Sequence, residues 1–374
     1  MPLTLTNFKP VGFDGAPDRI FVDAAGRVAA GPVEGAELLD LKGAWLSPGW
    51  CDLHVHVWHG GTDISIRAWE AGRPTGVTAM ADAGSAGEAS FHGLREYVIE
   101  PASETIRAFL NIGSIGLVAC NRVPELTDWR SIDIDRTLAV IEANRDVICG
   151  IKVRASGVIV GSWGITPAKI AKRVAEMVDL PLMVHVGEPP PLIDEVFDIL
   201  TPGDIVTHCF NGKPAGSIRD TEALFRQASE LAGRGILMDI GHGGASFNFQ
   251  TARASIADGL RPFSISTDLH RNSMDSPVQD MATTMSKLLA VGLPFEDCVR
   301  AATTAPRSVL GLSGGDGLAP GMRADFTAFD LQDAAIEVMD SQANRMVLAQ
   351  VFEPRLTVLG DDARPAARRL PPGR

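Results

Sequence analysis

Ser47-Pro-Gly-Trp-Cys-Asp-Leu-His54-Val-His56 is the stretch on which the reading of this 374-residue chain turns. Gly49 to His56 is an apolar run of strand length. Side chains alternate along a strand, so His54 and His56 face the same side. Two imidazoles so placed can bind one divalent ion. Alone, the pair reads more readily as two core histidines or one exposed pair, because short motifs are weak evidence.

Seven further runs follow: Val77–Asp82, Ile106–Ile112, Val147–Val153, Leu182–Val186, Ile205–His208, Ile236–Ile240 and Phe263–Ser266. They alternate with helical segments, the pattern of a parallel sheet with crossovers. One helix is capped by Thr166, takes Pro167 in its first turn, buries Ile170, Val174 and Met177, and stops at Pro181. Another runs from Asp220 to Gly233. Eight runs over residues 46–316 predict an α/β fold, a closed (β/α)8 TIM barrel. An open doubly wound sheet competes on periodicity alone. Gly84-Ser-Ala-Gly87 lacks a dinucleotide fingerprint, which sets a nucleotide-binding enzyme aside.

Both ends read as short strands. Arg19–Asp23 and Arg27–Ala30 flank an Ala-Ala-Gly turn, and Asp325–Asp330 and Arg345–Leu359 give further strand patterns. Residues 1–45 and 317–374 therefore predict one small β-sandwich domain built from both termini. The last fourteen residues, rich in Pro, Arg and Asp, are expected to fray.

Hydrophobic residues make up 45% of the chain and charged residues 21%, a globular balance. The net charge of −12 opposes a phosphate backbone, so nucleic acid is not expected as a partner. Five dispersed cysteines, no signal segment and no run approaching the roughly 20 apolar residues of a membrane span predict a cytoplasmic protein away from membranes. Its partner would be a small-molecule substrate, and a homo-oligomer is possible. Cys51, Cys149 and Cys209 read as core residues.

Six of the eight histidines fall at or just past a strand's C-terminal end, where barrel chemistry is found. Lys152 ends the fourth run. Burial would free its neutral amine to add CO2, giving a carbamate that can bridge two metals, unless it simply pairs with an acid at the rim. His185 ends the fifth run, His208 the sixth, and Asp268 follows the eighth. Together with His54 and His56 they form a set that chance assembles poorly. Arg154 points the same way as Lys152, either toward a substrate carboxylate or toward a rim acid such as Glu188. His242, His270, Arg271 and His59 are further candidates for substrate contact, and His92 reads as surface.

With those residues placed, the chain resembles the amidohydrolase superfamily over nearly its whole length. Ser47-Pro-Gly-Trp-Cys-Asp-Leu-His54-Val-His56 is similar to the family's first strand, and Gly317 to Asp330 to its entry into the small β domain. The pattern is similar to the binuclear subtype of dihydroorotases and dihydropyrimidinases. That resemblance implies two divalent ions, zinc being expected. His54, His56 and Asp268 would hold the more buried ion and His185 and His208 the other, with carboxylated Lys152 and a hydroxide between them. Asp268 would move the proton during hydrolysis.

Dihydroorotases carry an arginine two residues after the second histidine, where this chain has Trp58. The run His59-Gly-Gly-Thr-Asp-Ile-Ser65 resembles instead a dihydroorotase-like branch. Some of its members hydrolyse acetyl esters of α-hydroxy acids such as (R)-mandelate. The resemblance thus implies an ester or amide hydrolase for a small carboxylated substrate, with a cyclic-amide hydrolase as the alternative. A non-catalytic barrel scaffold would show lost ligand positions, and here all are filled.

Overall fold

The computed structural model describes residues 1–374 except 14, 16, 17, 121, 313–316 and 370–374. Seven parallel strands run side by side in chain order: Trp50–Val55, Val77–Gly87, Thr105–Asn111, Ile148–Ala155, Leu182–Val186, Ile205–Thr207 and Leu237–Asp239. All six positions of the first strand are buried, as are all eleven of the second. Both faces of a barrel strand are covered, so its sequence is mostly apolar or small rather than alternating, with buried exceptions such as Asp52, His54 and Asp82.

The eighth run, Phe263–Ser266, forms no strand. Two isolated parallel bridges close the ring instead, Ser264 to Asp239 on one side and Leu269 to Val55 on the other. Two buried carboxylates, Asp52 and Asp239, take donors from this stretch. Ser264 and Ser266 turn their hydroxyls to Asp239, and the Thr267 backbone N–H donates to Asp52 at 3.0 Å. Of these donors only the Thr267 N–H belongs to the backbone, and spent on a carboxylate it is not available to a ladder, while the Ile265 N–H goes to the Ala301 carbonyl at 2.8 Å. The outcome is a (β/α)8 barrel whose eighth stave still bonds to both neighbours, the Ile240 and His242 N–H groups donating to the Ser264 and Ser266 carbonyls at 3.1 Å each and the Asp268 N–H to the His54 carbonyl at 2.6 Å.

Helix Thr166–Val178 carries Pro167 in its first turn as expected, but Ile165 precedes it and no side chain caps it. It ends with Asp179 at φ 54°, two residues before Pro181. Its buried stripe is Ala168, Ala171, Val174, Ala175 and Val178, while Met177 is exposed and Ile170 half-buried. The expected stripe is therefore turned by about one position. Helix Glu222–Gly233 starts just after Thr221, which accepts a hydrogen bond from the Leu224 N–H at 3.1 Å.

The terminal β domain has a four-stranded sheet and a five-stranded sheet. Arg19–Val22 and Val28–Ala29 pair antiparallel as the hairpin pattern predicts. Leu5, Ile20 and Val22 of one sheet share an apolar cluster with Leu46, Phe326 and Val358 of the other. The long hairpin Asp325–Met339 and Arg345–Leu359 reaches beyond this domain, and Ser341 at its tip donates to the Gly243 carbonyl at 2.8 Å.

The end of the chain does not fray as far as Arg369. Asp362–Pro365 adds a strand to Arg345–Leu359, and buried Arg73 donates to the Asp362 carboxylate at 2.9 Å and its carbonyl at 2.7 Å. Charged residues that look unpackable in sequence thus find partners 289 residues away. The last five residues lie outside those described. No helix among the described residues is long and apolar enough to cross a membrane, and all five cysteines are free.

Candidate active site

His54, His56, Lys152, His185, His208 and Asp268 converge on one cavity of about 280 Å³ at the C-terminal mouth of the barrel. His54 is the last residue but one of its strand and His56 follows the strand's end. Their Nε2 atoms lie 3.5 and 3.0 Å from Asp268 Oδ1. The rings of His54 and His208 are 5.1 Å apart, and those of His185 and His208 4.3 Å. Ligand atoms of His54, His208 and Asp268 all fall within 4.8 Å of one another, the spacing of groups that hold a metal ion.

The rings are held from behind. His54 Nδ1 meets Thr207 Oγ1 at 2.8 Å, His56 Nδ1 meets Ser85 Oγ at 2.9 Å, and His208 Nδ1 donates to the Gly241 carbonyl at 2.6 Å. Engaging Nδ1 leaves Nε2 facing the cavity, the arrangement that ligating histidines use. Burial holds His54 and His185 well below the usual histidine range and His208 down to about 3, so these imidazoles are neutral donors at pH 7. Burial works against ionisation of Asp268, but the hydrogen bond from His56 Nε2 at 3.0 Å favours the carboxylate, and its pKa lies well below the usual carboxylate range. Neutral imidazoles beside a carboxylate suit a divalent cation.

Lys152 is only 2% exposed. Its Nζ lies 3.3 Å from His54 Nε2 and 3.3 Å from Met183 Sδ, and it makes no ion pair among the described residues. Burial pushes the amine down to about 7. Gly84 makes room for it, because a Cβ there would lie 2.6 Å from Lys152 Cγ. His208 and Asp268 adopt φ of 71° and 47°, a left-handed backbone that costs a non-glycine residue on the order of 1 kcal/mol. Two members of the cluster thus sit in strained backbone.

Arg154 lines the cavity but is not free. Its Nε and Nη2 form a two-point contact with Glu125, at 2.7 and 2.5 Å, and its Nη1 reaches Cys120 Sγ. The acid it pairs with is therefore Glu125, not Glu188. Glu188 accepts instead from Lys213 at 2.8 Å and from Ser156 at 2.8 Å. His270 lines the cavity, its Nδ1 donating to the Asp268 carbonyl at 2.7 Å.

Three expected contacts do not reach the cavity. His242 is buried behind it, accepting from Lys287 Nζ at 3.0 Å and stacking on Phe247. Arg271 is exposed and anchors only its backbone, to the Ile64 carbonyl. His59 lines a separate cleft with Trp69 and Tyr97, and His92 is exposed as expected. Trp58 is absent from the cavity wall and packs over Gly61 and Gly93. Cys51, Cys149 and Cys209 are buried, whereas Cys120 lines the cavity. Sequence reading missed Glu125, Lys213 and Cys120. All three lie in long loops, where strand alternation offers no signal.

An amidohydrolase family profile matches residues 45–362. The whole chain aligns at 57% identity with a deacetylase of Brucella anthropi, covering 95% of it. It aligns at 56% with a deacetylase of Agrobacterium fabrum, covering 94%. A solved structure described as a dihydroorotase superimposes with a TM-score of 0.95 at 56% identity over all of both chains. One described as an adenine deaminase gives 0.89 at 32%, over 97% of this chain and 99% of that one. Fold, converging side chains and whole-length similarity agree: this chain belongs to the amidohydrolase family of metal-dependent hydrolases.

Proposed function

We propose that the chain deacetylates a small carboxylated ester, the acetyl ester of an α-hydroxy acid such as (R)-mandelate, at a binuclear metal centre. The observation that carries this reading is Lys213, a cation on the wall of the cavity that holds the ligand cluster. Its one acid partner among the described residues is Glu188, whose side chain is 44% exposed. An ammonium has three donors, so two remain for a substrate carboxylate. Arg154 is already committed to buried Glu125. Ile64, Leu117, Val158 and Ile159 supply an apolar wall for the rest of the acid. The volume, near the low end of ligand pockets at roughly 300 Å³, suits a small substrate.

His54, His56 and Asp268 would hold one ion, His185 and His208 the other, and Lys152 as its carbamate would join both, with zinc the expected metal. Such ions, when bound, polarise an acyl carbonyl and bring the pKa of water near neutrality. The protein's own share is positioning and proton transfer. Asp268, ionised at pH 7, takes the proton of the attacking water and returns it to the departing alkoxide. His270 fixes the Asp268 backbone through the carbonyl it bonds. Lys213 orients the carboxylate, which in an α-acyloxy acid sits one carbon from the ester oxygen. Water and ester become acetate and hydroxy acid, with no other reactant.

The deacetylases at 57% and 56% identity support this reading. The structure described as a dihydroorotase supports a second, a cyclic-amide hydrolase. Assaying acetyl-(R)-mandelate and other α-acetoxy acids beside dihydroorotate and hydantoins decides between them. Saturable acetate release from the esters is expected. Turnover of dihydroorotate with no ester hydrolysed overturns the proposal.

A further inference from the structure

Asp239 ends the seventh barrel strand and is fully buried. Among the described residues it hydrogen-bonds to none of the converging histidines, and its nearer oxygen lies 3.9 Å from His54 Nδ1. Its neighbours are three hydroxyls. Thr207 Oγ1 donates to Oδ2 at 2.7 Å, Ser266 Oγ donates to Oδ2 at 2.8 Å, and Ser264 Oγ donates to Oδ1. A carboxylate only accepts, so each hydroxyl proton is spent on Asp239. What each hydroxyl does next is then fixed.

Thr207, its proton spent, can only accept from His54 Nδ1 at 2.8 Å. His54 therefore carries its proton on Nδ1 and presents a bare Nε2 to the cavity. Ser266 accepts from the Gly241 N–H at 2.9 Å, and the carbonyl of the same residue accepts from His208 Nδ1 at 2.6 Å. That fixes His208 in the same tautomer. Gly241 brings the two branches together. It stands at φ 47°, and a Cβ there would lie 2.4 Å from Thr207 Oγ1 and 2.7 Å from His208 Nδ1.

We propose that Asp239 is a positioning residue that sets the donor state of His54 through Thr207 and of His208 through Ser266 and the Gly241 peptide. One buried carboxylate so prepares a ligand in each of the two histidine groups. This rests on the metal centre and is independent of which ester or amide is cleaved.

The test uses metal-free full-length protein and variants Thr207→Val, Ser266→Ala and Asp239→Ala. Each is titrated with zinc, and histidine tautomers are read from 15N-histidine NMR before zinc is added. Thr207→Val keeps the side-chain shape but removes the acceptor. It should move the His54 proton to Nε2, beside Asp268, and weaken zinc binding by about ten- to hundred-fold, the usual cost of losing an outer hydrogen-bond partner of a ligand. Ser266→Ala should perturb His208 and leave the His54 tautomer in place. Asp239→Ala should affect both.

Lower stability alone would leave tautomer and affinity untouched, so these readouts separate positioning from a merely structural role. If Asp239→Ala does not fold, the other two variants still decide. His54 protonated on Nδ1 with unchanged zinc affinity in Thr207→Val overturns the proposal, as does an unaffected His208 in Ser266→Ala.

Discussion

Lys152 and Lys287 are both buried, and burial pushes both amines down to about 7. Their surroundings differ in what accepts their protons. Lys287 donates to the Pro277 carbonyl, to the Met339 carbonyl at 2.8 Å and to His242 Nε2 at 3.0 Å. Its three donors meet three acceptors, and it ties the loop after the seventh strand to the tip of the terminal hairpin. Lys152 faces a thioether and a nitrogen of His54, with no oxygen acceptor among the described residues. Equal burial thus yields one satisfied structural lysine and one left available for chemistry. The difference lies in hydrogen bonding rather than in titration.

The comparison breaks most directly at Lys152. Lys152→Ala should lose metal and activity together, by about 10²–10³-fold or more in kcat, on the scale of removing a preorganised electrostatic contributor. Metal analysis and acetate release measure both, and full activity in this variant would end the carbamate reading. Reconstituting metal-free protein in CO2-free buffer should slow metal uptake at two sites per chain, and added bicarbonate should restore it.

Next in size is a third lysine, Lys213, which is neither buried like Lys152 nor fully satisfied like Lys287. Lys213→Gln should raise KM for a carboxylated ester by roughly 10- to 100-fold, the worth of about 1.5–3 kcal/mol for a charge-assisted hydrogen bond. The methyl ester of the same substrate, having no carboxylate, should lose little. Equal losses on both would move the carboxylate to another residue.

What the sequence reveals of this contrast follows from periodicity. The strands were legible because a barrel buries both faces of each one, which leaves apolar runs between helices. The six converging residues were legible because strand ends in a barrel share one mouth. Lys152 stood out as a charge in such a run, whereas Lys287 sits in helix Met281–Ala290, where a lysine ordinarily faces water. Nothing local marks its helix as the one covered by the terminal hairpin. Glu125 and Lys213 were hidden for a related reason, since loops fix partners only through the tertiary fold. His242 misled because its place after a strand suggested the mouth, while its ring belongs to Lys287. The eighth stave was located correctly but not as a strand, because two of its backbone donors go elsewhere, the Thr267 N–H to Asp52 and the Ile265 N–H to the Ala301 carbonyl.

The smallest expected effects are on stability, and they test the other half of the contrast. Lys287→Met leaves two carbonyls and His242 Nε2 without a donor, so it should cost about 2–3 kcal/mol at pH 7 in denaturant unfolding. Metal content of the folded fraction should stay at the wild-type level. The pH dependence follows from the direction of the shift. The folded protein holds Lys287 near 7 while the unfolded chain returns it to the ordinary lysine value of 10.5. Between those values the unfolded state binds one more proton, so wild-type stability gains from this residue as pH rises, and below about 7 the penalty is constant. The variant lacks that gain. The gap between wild type and Lys287→Met should therefore widen above pH 7 by about 1.4 kcal/mol per pH unit. Buried thiols, which burial pushes up, titrate alike in both proteins and cancel in the difference. Unfolding curves at pH 7.0 and 8.5 suffice. A gap that does not change with pH would mean that Lys287 is charged in the folded protein, and its likeness to Lys152 would end there.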